Sequence, residues 1–138
     1  MTVSSDRLLR RTLWANAAFS IASGAVLALF AAPFATAASA EQLTVAGLDL
    51  AIALELLGIG VIAAGALCAW VAGRPELPRG LAKVIFVADV AYVAASVVVL
   101  GLVSWTTAGI AAIAIVALIV ADLAVLQYLG LRRLSAPR

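Results

Sequence analysis

Four long apolar runs, separated by short polar breaks, dominate the chain. They cover roughly 13–35, 48–72, 81–103 and 106–131. Each is long enough to cross about 30 Å of hydrocarbon at a helical rise of 1.5 Å per residue. The first break, 36–47, carries Glu41 and no Lys or Arg. The second, 73–80, holds Arg74, Pro75, Glu76, Pro78 and Arg79. Only Ser104-Trp105-Thr106 separates the third run from the fourth, which predicts an antiparallel helical hairpin. The expected fold is all-α: a polytopic membrane protein, a four-transmembrane-helix bundle, forming a single membrane domain over 1–138.

Composition strengthens this reading. Of 138 residues, 66% are hydrophobic and 12% charged, with a mean hydropathy of +1.20. An ordinary soluble domain is about 45–50% apolar and roughly 25% charged. A short chain buries the smallest fraction of its surface, so a water-soluble core could not hide this much apolar area; the lipid bilayer is its expected partner. The one cysteine, Cys68, lies in an apolar run and forms no CxxC pair, and there is no histidine. Bis-His haem, His-based zinc and the commonest general base are thereby excluded. No cofactor is expected, and no nucleophile–base pair points to an enzyme.

The nine basic residues fall in three clusters: Arg7, Arg10 and Arg11; Arg74, Arg79 and Lys83; Arg132, Arg133 and Arg138. All lie on one side of the expected membrane, a topology pattern rather than a nucleic-acid surface. The positive-inside rule then places both termini and the middle break in the cytoplasm. Trp14, Trp70, Trp105 and Tyr128 lie near run ends, where aromatic belts form. A competing reading takes Arg10-Arg11, the first run and Ala35-Thr36-Ala37 or Ala38-Ser39-Ala40 as a secretory signal. The run of about twenty residues exceeds the usual signal core, and Asn16 and Ser20 interrupt it. A retained helix is therefore expected; cleavage would leave three spans.

Two internal patterns concern packing. Ala15-Asn16-x-Ala18-Phe19-x-x-Ala22-Ser23 aligns with Ala88-Asp89-x-Ala91-Tyr92-x-x-Ala95-Ser96. That alignment raises a 2+2 pseudo-repeat of one hairpin, against chance similarity of alanine-rich helices. Gly58, Ile62, Gly65, Ala69 and Ala72 share one face of the second run, and Ala114, Ala117, Ala121 and Ala124 share one of the fourth. Small residues let membrane helices approach closely, so Gly58, Gly65, Ala69, Ala117 and Ala121 are expected helix contacts. Residues 58–63 match G-x-G-x-x-A, but a dinucleotide fingerprint needs a strand before it and a helix after it.

Ionisable groups inside the runs are costly, about 2.5–3.5 kcal/mol for a central Asp on insertion scales. Glu55, Asp89 and Asp122 are the three. Asp89 and Asp122 both lie roughly 12–14 Å from the cytoplasmic ends of their runs. At one level on adjacent helices they could share a proton or a cation. Asn16 and Gln127 lie nearer that surface, and Tyr92 and Ser96 share the face of Asp89, so these seven residues form the candidate polar site. The plainer alternative makes the acids neutral, hydrogen-bonded packing residues.

The Arg-rich start, the LWANAAFSIASG segment, the R-P-x-x-P break and the Q-Y-x-G-L-R-R ending resemble the small four-span membrane proteins of high-GC bacteria. The resemblance implies a bacterial inner-membrane location and no particular activity. Small multidrug transporters place a glutamate in their first span, where this chain has Asn16. The expected role is non-enzymatic, a helix-packing or accessory subunit in a homo-oligomer or a larger membrane complex. A small proton- or cation-coupled transporter using the intramembrane carboxylates is the alternative.

Overall fold

The computed structural model describes residues 6–39 and 42–135; Ala40, Glu41 and Arg138 lie outside the described residues. The elements run α1 (Arg7–Leu29), α2 (Ala31–Ala38), β1 (Thr44–Val45), β2 (Leu48–Asp49), α3 (Leu50–Gly73), α4 (Arg79–Leu102) and α5 (Thr107–Ser135). α1, α3, α4 and α5 are long and apolar enough to cross a membrane. The all-α fold expected from the sequence is the fold observed.

The first apolar run is not one helix. α1 ends at Leu29 and α2 begins at Ala31, with Phe30 between them at φ −116° and ψ 26°. Pro33 is the physical reason. It has no N–H to give the carbonyl of Leu29, and its ring clashes with that carbonyl in a continuous helix. The helical ladder resumes with Phe34 N–H donating to Phe30 O at 3.0 Å. At its other end the helix starts six residues before the apolar run, at Arg7, so Arg7, Arg10 and Arg11 are part of the helix itself.

Arg10 explains why that basic first turn is ordered. Its Nη1 donates to the carbonyls of Ala72 and Arg74, both at 2.6 Å, and its Nη2 to Pro75 O at 3.3 Å and Asp6 Oδ2 at 2.9 Å. The last carbonyls of a helix have no partner within it and carry the negative end of its dipole. Arg10 thus caps α3 from α1. Beside it the Arg74 guanidinium lies 3.9 Å from the Trp70 ring centre. The best-packed apolar core sits at this same end, where Leu9, Leu13, Cys68, Val71, Leu77, Ile85 and Leu131 close together.

α1 and α3 form the tightest pair. A Cβ built on Gly58 would lie 2.6 Å from Ala28 N and 2.7 Å from Gly24 O, and one on Gly65 2.8 Å from Ile21 and 3.0 Å from Ala17 O. The small-residue stripe of α3 thus meets Ala17, Ile21, Gly24 and Ala28, a matching stripe on α1.

At the opposite end β1 and β2 pair antiparallel, Thr44 with Asp49 and Val45 with Leu48. Their two-residue turn has positive φ at Ala46 (52°) and Gly47 (79°), the geometry whose twist suits a tight hairpin. Thr106 starts α5 by accepting the Gly109 N–H at 3.1 Å, an N-cap bond. Its hydroxyl also donates to Ala37 O at 2.5 Å, tying α5 to the end of α2.

Candidate functional site

One seam of α4 faces the bundle: Ala82, Ile85 and Ser96 are buried, with Asp89 and Tyr92 half-buried between them. Asp89 lies ten residues from the start of α4, about 15 Å by helical rise. Asn16 is nine residues into α1 and Gln127 eight from the end of α5, about 14 and 12 Å from the same end. The three side chains meet. Asn16 Nδ2 donates to Asp89 Oδ2 at 2.7 Å, and Gln127 Nε2 donates to the same oxygen at 2.8 Å. Ser20, one turn along α1, donates to Asn16 Oδ1 at 3.0 Å and so orients its amide.

The setting is enclosed. Gln127 is 0% exposed and Asn16 2%. No Cα of α1 comes within 8 Å of one in α4, so the Asn16–Asp89 bond crosses the bundle's diagonal and joins helices whose backbones do not touch. The only ion pair among the described residues is Arg10–Asp6, so Asp89 has no protein counter-charge. Two neutral N–H donors on one oxygen give the carboxylate hydrogen bonds where a cation is missing.

The other expected site residues fall differently. Ser96 is buried, but its hydroxyl donates to the Tyr92 backbone carbonyl at 2.9 Å. Tyr92 and Ser96 therefore line the seam without a described hydrogen bond to Asp89. Asp122 is exposed on the outside of α5. It stands five residues from Gln127, about 140° around the helix, so the inward face carries Gln127 and cannot also carry Asp122. Glu55 is likewise exposed. Neither acid takes part in a hydrogen bond or ion pair among the described residues, and no shared Asp89–Asp122 site is formed. No group of three or more His, Cys, Asp or Glu placed to hold a metal ion occurs among the described residues.

A second feature lies between α4 and α5. An open apolar groove of about 420 Å³ is lined by Phe86, Val90, Val93, Ala94, Ala121, Ala124, Val125 and Tyr128. Ala117 and Ala124 are buried, while Ala121 opens onto this groove. The G-x-G-x-x-A match lies wholly within α3, where Gly58 serves backbone contact and Gly60 has open space around it. The Arg10 cap and the buried Leu9 go beyond what the apolar pattern predicts. The sequence signal for them is an apolar residue beside an arginine at a helix start, which can turn inward while the arginine caps a neighbour.

Together these features define an all-α bundle with the architecture of a multi-pass membrane protein, with one polar clasp in its interior. No protein-family model, curated protein or solved structure matches the chain.

Proposed function

We propose that this chain is a non-enzymatic subunit of the bacterial inner membrane that works by packing, through the outer face of α5, against copies of itself or a larger membrane complex. The observation that carries this reading is Asp122. It stands fifteen residues from the start of α5 and ten from Arg132 at its basic end, roughly 22 and 15 Å by helical rise. A carboxylate on so short a side chain cannot reach a headgroup from there. Around it lie Ile115, Leu118, Val125 and Leu129, all exposed. Hydrocarbon satisfies these but not Asp122; a neighbouring helix bearing a donor satisfies both.

The orientation belongs to the same proposal. The start of α1, the 74–78 loop and the end of α5 share one end, and every described Lys and Arg lies at or near it. The positive-inside rule makes that end cytoplasmic, in keeping with the sequence's resemblance to four-span proteins of high-GC bacteria.

Two measurements test these statements. With Leu118→Cys in a Cys68→Ala background, crosslinking in native membranes is expected to trap a second chain, and Asp122→Leu is expected to abolish the product. A single uncrosslinked Leu118→Cys chain at every concentration would sink the association. A cysteine at Gln42 should react with an impermeant reagent outside intact cells, and one at Glu76 should not. The reverse pattern would invert the topology. A second reading, a small proton- or cation-coupled transporter, is favoured by Asp89, an interior carboxylate without a counter-charge.

A further inference from the structure

Both amide donors converge on one oxygen of Asp89, which leaves the other oxygen of the carboxylate to be explained. Asn16 and Gln127 each donate to Oδ2; no described hydrogen bond reaches Oδ1. Close by, Gln127 Oε1 is fully buried and accepts nothing. Amide bond lengths keep Oε1 about 2.2 Å from the Nε2 that touches Asp89, so this acceptor is a near neighbour of the carboxylate. Buried acceptors without a donor are uncommon in folded chains and call for a partner, a water or an ion.

Among the described residues no cationic side chain faces this space. On α1 the facing groups are Asn16 and Ser20, which are uncharged, and on α4 the neighbouring titratable group is Tyr92. On α3 the Cys68 thiol lies within electrostatic reach of Asp89, and on α5 Gln127 faces inward while Asp122 faces out. There is no histidine, and the arginines and Lys83 cluster toward the helix ends.

We propose that Asp89 Oδ1 and Gln127 Oε1 form the binding site of one small monovalent cation, a proton or Na+, held between a carboxylate and an amide oxygen. The ligand class follows from the donors. Both are hard oxygens, which suit H+ and alkali ions and not soft metals. A single carboxylate balances one positive charge, so a divalent ion would stay uncompensated in a low-dielectric interior. The amide donors on Oδ2 hold the carboxylate so that Oδ1 is presented, and Ser20 steadies Asn16 in turn. A proton is shared by the two oxygens alone; Na+ also recruits water. The site bears on the transport reading, since binding is needed for coupled transport but does not establish it.

The test uses the full chain in lipid nanodiscs. Thermal unfolding is followed as NaCl replaces N-methylglucamine chloride at constant ionic strength, and the infrared carboxyl band is followed against pH. A saturable rise in Tm with Na+ in the parent protein and in Asp122→Asn, absent in Asp89→Asn, identifies Na+. No Na+ effect, with a carboxyl band that titrates in the parent and is missing in Asp89→Asn, identifies a proton. Gln127→Met keeps the length and removes Oε1. It should weaken Na+ binding about 10–100-fold or shift the titration midpoint, and it keeps the test alive if Asp89→Asn does not fold. No Na+ dependence together with identical carboxyl bands in the parent and Asp89→Asn at every pH overturns the proposal. Binding without ion flux in sealed vesicles would leave this site standing and remove the transport reading alone.

Discussion

The two helical hairpins of this bundle are both apolar and pack differently. In α1 and α3 the backbones touch, because Gly24 and Gly58 leave no Cβ between them. In α4 and α5 the contact runs through larger side chains, such as Phe86 and Tyr128 with ring centres 6.1 Å apart, and an open groove remains between the helices. Gly101 of α4 has nothing within 4 Å of its would-be Cβ. In lipid, apolar side chains gain nothing by leaving one apolar solvent for another, so close backbone approach decides which helices stay together. The first hairpin is therefore the scaffold. The second is anchored through α5, whose Gly109 and Gly130 lie as close to Ala38 and Leu9, while α4 is held by a narrow seam to which the Asn16–Asp89–Gln127 clasp contributes.

The sharpest way to break this contrast is Gly58→Leu. Its Cβ alone would overlap backbone atoms of Ala28 and Gly24, so α1 and α3 must separate. A loss of about 3 kcal/mol or more is expected, above the usual range for overpacking because backbone cannot swing aside. Unfolding in mixed micelles measures it, with Gly101→Leu as the matched change in the loose hairpin. Equal tolerance of the two would show that glycine contact does not distinguish the hairpins.

The clasp comes next. Asp89→Leu leaves the Asn16 and Gln127 donors buried without an acceptor and should destabilise by about 1–3 kcal/mol. Part of the lost bonding is offset by removing an acid from the membrane. Asp89→Asn retains an acceptor oxygen and should cost less than half as much in the same unfolding assay. If Leu were as stable as Asn, the clasp would not be holding α4.

At the basic end, Arg10→Leu removes the cap on α3. The bonds are partly solvated, so about 1 kcal/mol is expected, read as faster hydrogen exchange in the last turn of α3 with α5 unchanged. The smallest effect belongs to the groove. Ala121→Leu adds a side chain where there is open space, and Leu57→Phe falls on an exposed face; each should change stability by less than about 0.5 kcal/mol. A large loss from Ala121→Leu would mean that the groove closes in the bilayer.

Much of this architecture is written in the sequence by itself. Apolar run length and the placement of Lys and Arg depend only on the match between chain and membrane, so the four helices and the common end of their basic residues can be read without coordinates. The stripe from Gly58 to Ala72 is legible for the same reason, since helical periodicity alone puts those residues on one face. Which face meets which is not local, and there the tertiary structure decided. Asp89 and Asp122 lie at similar depth, and depth suggested a pair. Rotation about the helix axis separates them, turning Gln127 inward and Asp122 outward. The partner of Asp89 proved to be Asn16, on a helix seventy-three residues away in sequence, because only packing brings α1 and α4 to opposite corners of one bundle. The break at Phe30 lies between the two cases: Pro33 stands in the sequence with a known steric consequence, but hydropathy does not register a missing N–H, so the apolar run continues through a helix that ends.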